Sequence, residues 1–275
     1  MILFPIFLFG LFVGSFLNVI IDRLPKEEQF MRGRSRCDTC RKPLRWYDMF
    51  PVISWVLLSG RCRYCRSPIS IRNPIVELLT GALFVGSYVL VERSVGQFFP
   101  RSGITLSVTI FNFQFSIIIL YWIVASSLIA IFFIDLKHKI IPDELVITAL
   151  LGAIGVLFLN PNRYPVSNYV LSALGASSFF ILLILITRGR GMGWGDVKFG
   201  GVMGVLLGFP GIVVALYIAF LTGAMVSVML ILFRRLTLKK TIAFGPFLVA
   251  GTVSVYLIEY VPGGIEIISK LLPFY

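Results

Sequence analysis

Charge is scarce in this sequence and histidine is almost missing: 14% of its 275 residues are charged, and His138 is its single histidine. A soluble globular domain carries about 25% charged residues, so that class is excluded. One histidine excludes zinc hydrolysis of the H-E-x-x-H kind, which needs two on one helix face. There is no G-x-S-x-G elbow to raise a serine nucleophile and no glycine-rich nucleotide loop near the cysteines. No low-complexity tract or internal repeat is evident. His138, between Lys137 and Lys139, reads as a solvated loop residue. The first apolar run has no basic segment ahead of it and no small-residue cleavage site. Arg23 follows that run, so it reads as a span and not as a secretory signal.

What is abundant is apolar surface: 57% of the residues are hydrophobic and the mean hydropathy is +0.92. A membrane span takes about 20 mostly apolar residues, and eight segments suggest themselves: 2–21, 74–91, 112–134, 143–159, 168–187, 197–209, 211–233 and 244–261. The predicted fold is an all-α polytopic membrane protein of about eight transmembrane helices, with a small cytoplasmic zinc-ribbon-like insert between spans one and two. Its parts are a first helix over 1–21, a four-cysteine domain over 22–73 and a transmembrane domain over 74–275. Segment 197–209 is short and glycine-rich, and is expected to be tilted, broken or lining a cavity. The net charge of +12 follows topology. Loops 22–73, 135–142, 188–196 and 234–243 hold most of the lysines and arginines, while Arg93, Arg101, Arg163 and Lys270 alone fall on the other side. That asymmetry places the basic loops in the cytoplasm and both termini outside. The basic excess therefore points to anionic lipid head groups and not to nucleic acid.

All four cysteines lie in the polar segment 22–73, as the pairs Cys37–Cys40 and Cys62–Cys65. Two C-x-x-C pairs about twenty residues apart supply four thiolates, the ligand set of a structural zinc ribbon. A cytoplasmic insert this size gains from such a staple, because disulfides do not persist there and its own core is small. Dithiol redox chemistry is the alternative, although it needs only one pair. Trp46, Met49, Phe50, Ile53 and the run from Trp55 to Leu58 are too apolar for a plain loop. They are expected to pack on the ribbon or lie at the membrane interface.

The remaining acids are few enough to weigh singly. Asn18 in the first span needs a hydrogen-bonding partner, and Gly14-Ser15 suits close helix packing. Glu77, one turn into the second span, is either a helix-terminal acid or a buried acid facing a site. Asp143 and Glu144 open span four after Pro142 and read as caps. Asp135 ends span three, where the helix dipole disfavours an anion, so something else must hold it there. Asp196, in Gly193-Trp194-Gly195-Asp196 with Lys198 just beyond, starts span six. Spans four and five return the chain to the same face, bringing Asp135 and Asp196 to one side. Two acids in a low dielectric can share a proton and activate water, as in aspartic proteases. Residue chemistry alone equally allows a proton-coupled transporter, or Asp196 as a simple helix cap.

Taken together, Asp135 with Pro142-Asp143 and Gly193-Trp194-Gly195-Asp196 resemble the bacterial type IV prepilin peptidases, the G-x-G-D membrane aspartic proteases. Gly14 through Pro25, the paired cysteine insert, and Pro74 through Gly81 are similar to that family's opening segments. The resemblance implies catalytic Asp135 and Asp196, with Gly193, Gly195, Lys198, Asp143 and Glu77 supporting the site. It also implies a metal held by Cys37, Cys40, Cys62 and Cys65. It further implies cleavage of a basic leader from prepilins or pseudopilins, for pilus assembly or type II secretion, at the inner-membrane face. N-methylation of the new terminus with S-adenosylmethionine would follow. In one respect the sequence departs from the family: Arg41 and Arg66 stand where a glycine commonly follows the second cysteine of each pair.

Overall fold

The computed structural model describes residues 2–29, 35–37, 39–98, 104–159, 164–189, 191–233 and 242–259. The hairpin at 160–165 lies outside them except for Tyr164 and Pro165, as do loop residues 234–241 and everything after 259. The chain forms two compact units, Met1–Arg93 and Ser94–Tyr275.

In the first unit, helix α1 (Leu3–Arg23) is followed by a tight 3-10 turn over Leu24–Lys26, where Pro25 ends the helical run. The short α2 (Ile53–Leu57) lies in the insert, and α3 begins at Arg72 and extends to Phe98. Small residues let α1 and α3 touch backbone to backbone. A Cβ on Gly10 would sit 2.7 Å from the Gly81 Cα, and one on Gly14 would sit 2.6 Å from the Glu77 Cα. Without a solvent-driven hydrophobic effect in lipid, such close packing is what joins helices. Polar bonds fasten the same pair at one end: Asn18 Nδ2 donates to the Asn73 carbonyl at 3.1 Å, and Arg72 meets Asp22 at 2.6 Å. Asn18 thus has the partner its position demanded.

The insert is built from two copies of one knuckle. Arg36 pairs with Pro43 in an antiparallel bridge, and Arg61 pairs with Pro68 in the same way. Residues 36–44 and 61–69 both read R-C-x-x-C-R-x-P followed by Leu or Ile. The expectation of no internal repeat is therefore corrected; the unit is shorter than the periods that mark repeat folds. Trp55 packs inward, its Nε1 donating to the Ile69 carbonyl. Trp46, Ile53, Val56 and Leu57 remain exposed, and Phe50 meets the ring of Phe12 on α1.

The second unit holds α4 (Ile104–His138), α5 (Asp143–Leu159), α6 (Val166–Ile186), α7 (Trp194–Leu207), α8 (Gly211–Leu232) and α9 (Gly245–Glu259). Helix α6 packs along α7, α4 along α5, and α8 along α9; α5, α8 and α9 also touch α7. Among the described residues, eight long helices fall on the eight apolar segments. Within the described residues, five of them are long and apolar enough to cross a membrane: Leu3–Lys26, Arg72–Glu92, Phe115–His138, Val166–Ile186 and Gly211–Leu232. The other three, α5, α7 and α9, have 17, 14 and 15 described residues.

Three local expectations change. The loop expected over 92–111 is mostly helical backbone, since α3 reaches Phe98 and α4 starts at Ile104; residues 99–103 lie outside the description. His138 is the last residue of α4 and half-buried, not a loop residue, because the helix continues a turn past the apolar run. Helix α7 is unbroken. Its glycines serve packing, with a Cβ on Gly200 falling 2.6 Å from the Phe180 ring and one on Gly204 falling 2.4 Å from the Ala173 backbone.

Candidate active site

Asp135 lies in the last turn of α4, 5% exposed, and Asp196 in the first turn of α7, 8% exposed. The two carboxylates are close enough for their charges to repel. Each faces the positive end of a helix. Asp135 Oδ2 accepts the backbone N–H of Gly245, the first residue of α9, at 2.8 Å. Asp196 Oδ2 accepts the N–H of Gly193, the N-cap of its own helix, at 3.1 Å. An anion at a helix N-terminus gains roughly 0.3–1 kcal/mol, and up to about 2 where it is partly buried. The α9 terminus therefore supplies what the end of α4 denies Asp135. Asp196 is not an N-cap but the third helical residue, reaching back to the cap in the manner of a capping box. A structural role and an active-site position are compatible in it.

The surrounding backbone is shaped for this meeting. Lys139, at φ +57, closes α4 with its N–H on the Asp135 carbonyl at 2.8 Å. The chain then passes Ile141 and Pro142 into α5, and Ile141 lies directly under Gly195. A Cβ on Gly195 would come within 2.9 Å of the Ile141 Cβ, whereas one on Gly193 meets nothing closer than 3.8 Å. The two glycines of the motif are thus unequal. Gly195→Ala is expected to cost about 1–3 kcal/mol through overpacking and to lower activity strongly. Gly193→Ala, in extended backbone at φ −93, should leave both nearly unchanged. Melting temperature and turnover of the two variants side by side check this.

Asp143 opens α5, and both its oxygens take the Lys198 ammonium, at 2.7 and 2.8 Å. The pair is exposed, so it contributes at most about 1 kcal/mol, but it joins α5 to α7 across the site. Glu77 is buried in the first unit, where it accepts the Val52 N–H at 2.7 Å and meets the Ser15 hydroxyl. Its partners all come from α1 and the insert.

The four cysteines converge as their spacing predicts. Their sulfurs lie within 4.8 Å of one another, and Cys37 Sγ is 3.8 Å from Cys65 Sγ. Four Zn–S bonds of about 2.3 Å in a tetrahedron require sulfur separations of about 3.8 Å. The donor set therefore fits a tetrahedral thiophilic dication. In each knuckle the residue after the second cysteine turns left-handed, Arg41 at φ +55 and Arg66 at φ +61, so arginine adopts the conformation glycine would take more easily. The Cys40 N–H, aided by the Ser67 hydroxyl, holds the Cys37 thiol down at about 6 despite burial. The Lys42 N–H favours a Cys40 thiolate too, but burial and the Cys65 and Cys37 sulfurs outweigh it and push Cys40 up to about 11. Four thiolates cannot share this space unaided, and a bound dication would remove the conflict.

Against this geometry stand the comparisons with known proteins. Residues 8–91 match the Bacterial Peptidase A24 N-terminal domain, and residues 122–228 match the Type IV leader peptidase family. A prepilin leader peptidase/N-methyltransferase of Aeromonas hydrophila is 33% identical over 279 residues, covering 90% of this chain and 88% of that protein. The chain belongs to the type IV leader peptidase family. Relatives bearing the same name occur in Neisseria gonorrhoeae, 33% identical over 90% of this chain and 87% of theirs, and in Bacillus subtilis strain 168, 28% identical over 92% of both. No solved structure matches the chain. The family's C-terminal match contains both Asp135 and Asp196, and its N-terminal match contains all four cysteines. Gly245 falls beyond both matched ranges. A backbone donor such as the Gly245 N–H leaves no side-chain signature in a sequence.

Proposed function

We propose that this member of the leader peptidase family cleaves the basic leader from prepilins or pseudopilins, using water activated between Asp135 and Asp196. The observation that carries the reading is the pair itself: two buried carboxylates from separate helices, within electrostatic reach, each fixed by a helix N-terminal amide. In a shared low-dielectric site one acid keeps its proton and polarises the scissile carbonyl, while the ionised partner takes a proton from water. Lys198 and Asp143 hold α5 and α7 in register around the pair, and Gly195 allows their close approach. The relatives' names also support methylation of the new terminus with S-adenosylmethionine. None of those relatives is named as a transporter.

On this reading eight helices cross the bacterial inner membrane, with the active site toward the cytoplasm and both termini outside. Segment 1–21 is the first span, 22–73 the cytoplasmic metal domain and 74–275 the peptidase domain. The metal is zinc in a closed four-thiolate shell, so its role is structural. Purified, reduced protein should carry about one zinc per chain, and its removal by a chelator should lower the melting temperature; protein free of zinc with unchanged melting would contradict the assignment. The function is tested with a purified prepilin in detergent and S-adenosylmethionine. Mass spectrometry is expected to show loss of the leader and gain of one methyl group on the product. An intact prepilin would overturn the peptidase reading, and an unmethylated product would leave only that half.

A further inference from the structure

Part of the insert reaches well along the apolar length of α1. In segment 46–58 the Phe50 ring meets that of Phe12 at 5.8 Å. Phe12 precedes Ile21, the last apolar residue before Asp22 and Arg23, by nine positions, about 13 Å along a helix axis. A second contact lies slightly nearer the helix ends. The Val52 N–H donates to Glu77 Oε2 at 2.7 Å, and Glu77, five residues inside α3, packs its backbone on Gly14. One leaflet contributes about 15 Å of a bilayer's hydrocarbon. With α1 and α3 as spans, both contacts therefore lie inside the cytoplasmic leaflet and not above it.

The chemistry of the segment suits that depth. Asp48 is the one charge between Arg45 and Arg61, and its side chain is buried against Arg63 at 2.7 Å. Ile53, Val56 and Leu57 share one face of α2 at helical spacing and are exposed, Leu57 to 78%. Phe50, also exposed, joins them to the exposed ring row of Phe9, Phe12 and Phe16 on α1. Irregular backbone survives in hydrocarbon only where the protein satisfies its polar groups. Here the N–H groups of Ser54, Val56, Leu58 and Gly60 donate to carbonyls of residues 50–55, and that of Val52 donates to Glu77. Resting on the spanning reading above, we propose that segment 46–58 is a re-entrant element sunk among the acyl chains of the inner leaflet. Arg45 and Arg61 stand at the anionic head groups where the chain enters and leaves, with Trp46 in the interfacial belt. The cysteine knuckles then ride on the membrane surface, and Glu77 serves to satisfy the Val52 amide where water does not reach.

The test is photolabelling of the full-length protein in nanodiscs of phosphatidylethanolamine and phosphatidylglycerol, with a diazirine midway along one acyl chain. Trypsin releases residues 46–61 as one peptide and 1–23 as another. Acyl label is expected on both. Label on 1–23 with none on 46–61 overturns the re-entrant placement while leaving the spans intact, and label on neither overturns both readings. Leu57→Asp is expected to lower the yield on 46–61 about 10-fold or more, since hydrocarbon expels an acid, and to leave that on 1–23 unchanged. Undiminished label on 46–61 in that variant would count against the proposal. Because the variant can misfold, Leu57→p-benzoylphenylalanine is photolysed in the same nanodiscs. Lipid adducts support the placement, whereas an adduct with a second copy of the chain, or with added prepilin, marks a protein interface there and overturns it.

Discussion

Asp135→Asn and Asp196→Asn should each lower leader cleavage by about 10²–10⁴-fold, the usual worth of a positioned general acid or base. Asparagine keeps the shape and an oxygen acceptor. The bonds from Gly245 to residue 135 and from Gly193 to residue 196 can therefore persist, and folding should be little affected. What is lost is the ability to hold or release a proton. Since the two acids act as one unit, the double variant should be hardly worse than either single one. Single-turnover cleavage of a purified prepilin, with melting temperature as the folding control, measures this. A single variant that cleaves at the normal rate would dismiss the dyad.

Gly245→Ala is expected to be the most damaging change at a position with no chemistry of its own. A Cβ there would stand 2.7 Å from Asp135 Oδ2 and 3.0 Å from its Cγ. The carboxylate must move or α9 must shift. Either response lengthens the 2.8 Å hydrogen bond that orients it. Displacing a reacting group by about 1 Å can cost 10²-fold in rate. The loss should appear in kcat with KM nearly unchanged, because the glycine touches the acid and not the substrate. Retained kcat would show that the α9 amide does not position Asp135.

Much of this was legible in the residues. Apolar runs found the long helices because a span must bury its backbone bonds within itself, a constraint that leaves a length signature. Asp135 declared itself by standing at the unfavourable end of its helix, and Asp196 by its glycine-rich approach. The spacing of Cys37, Cys40, Cys62 and Cys65 gave the cluster. What escaped depends on pairing between distant segments. Gly245 reaches Asp135 across 110 residues through a backbone amide, which any residue type but proline carries. Glu77 meets the Val52 N–H across 25 residues, a contact that no local pattern announces. The duplicated knuckle was hidden because only Arg, Cys and Pro recur identically. The glycines of α7 pointed to a break, yet they answer to the side chains of α6, which no local pattern can show.

Both acids of the pair sit within one turn of a helix end, Asp135 three residues before α4 stops and Asp196 two after α7 starts. On the proposed reading, water for the reaction enters at the helix ends and not along a conduit through the bundle. The same shallowness acts as a depth gauge. Only a bond at the junction of a greasy stretch and a hydrophilic one can rest there with each flank in its preferred medium. Where such an enzyme cuts is then dictated less by the letters on either side of the bond than by where along the substrate its oiliness begins.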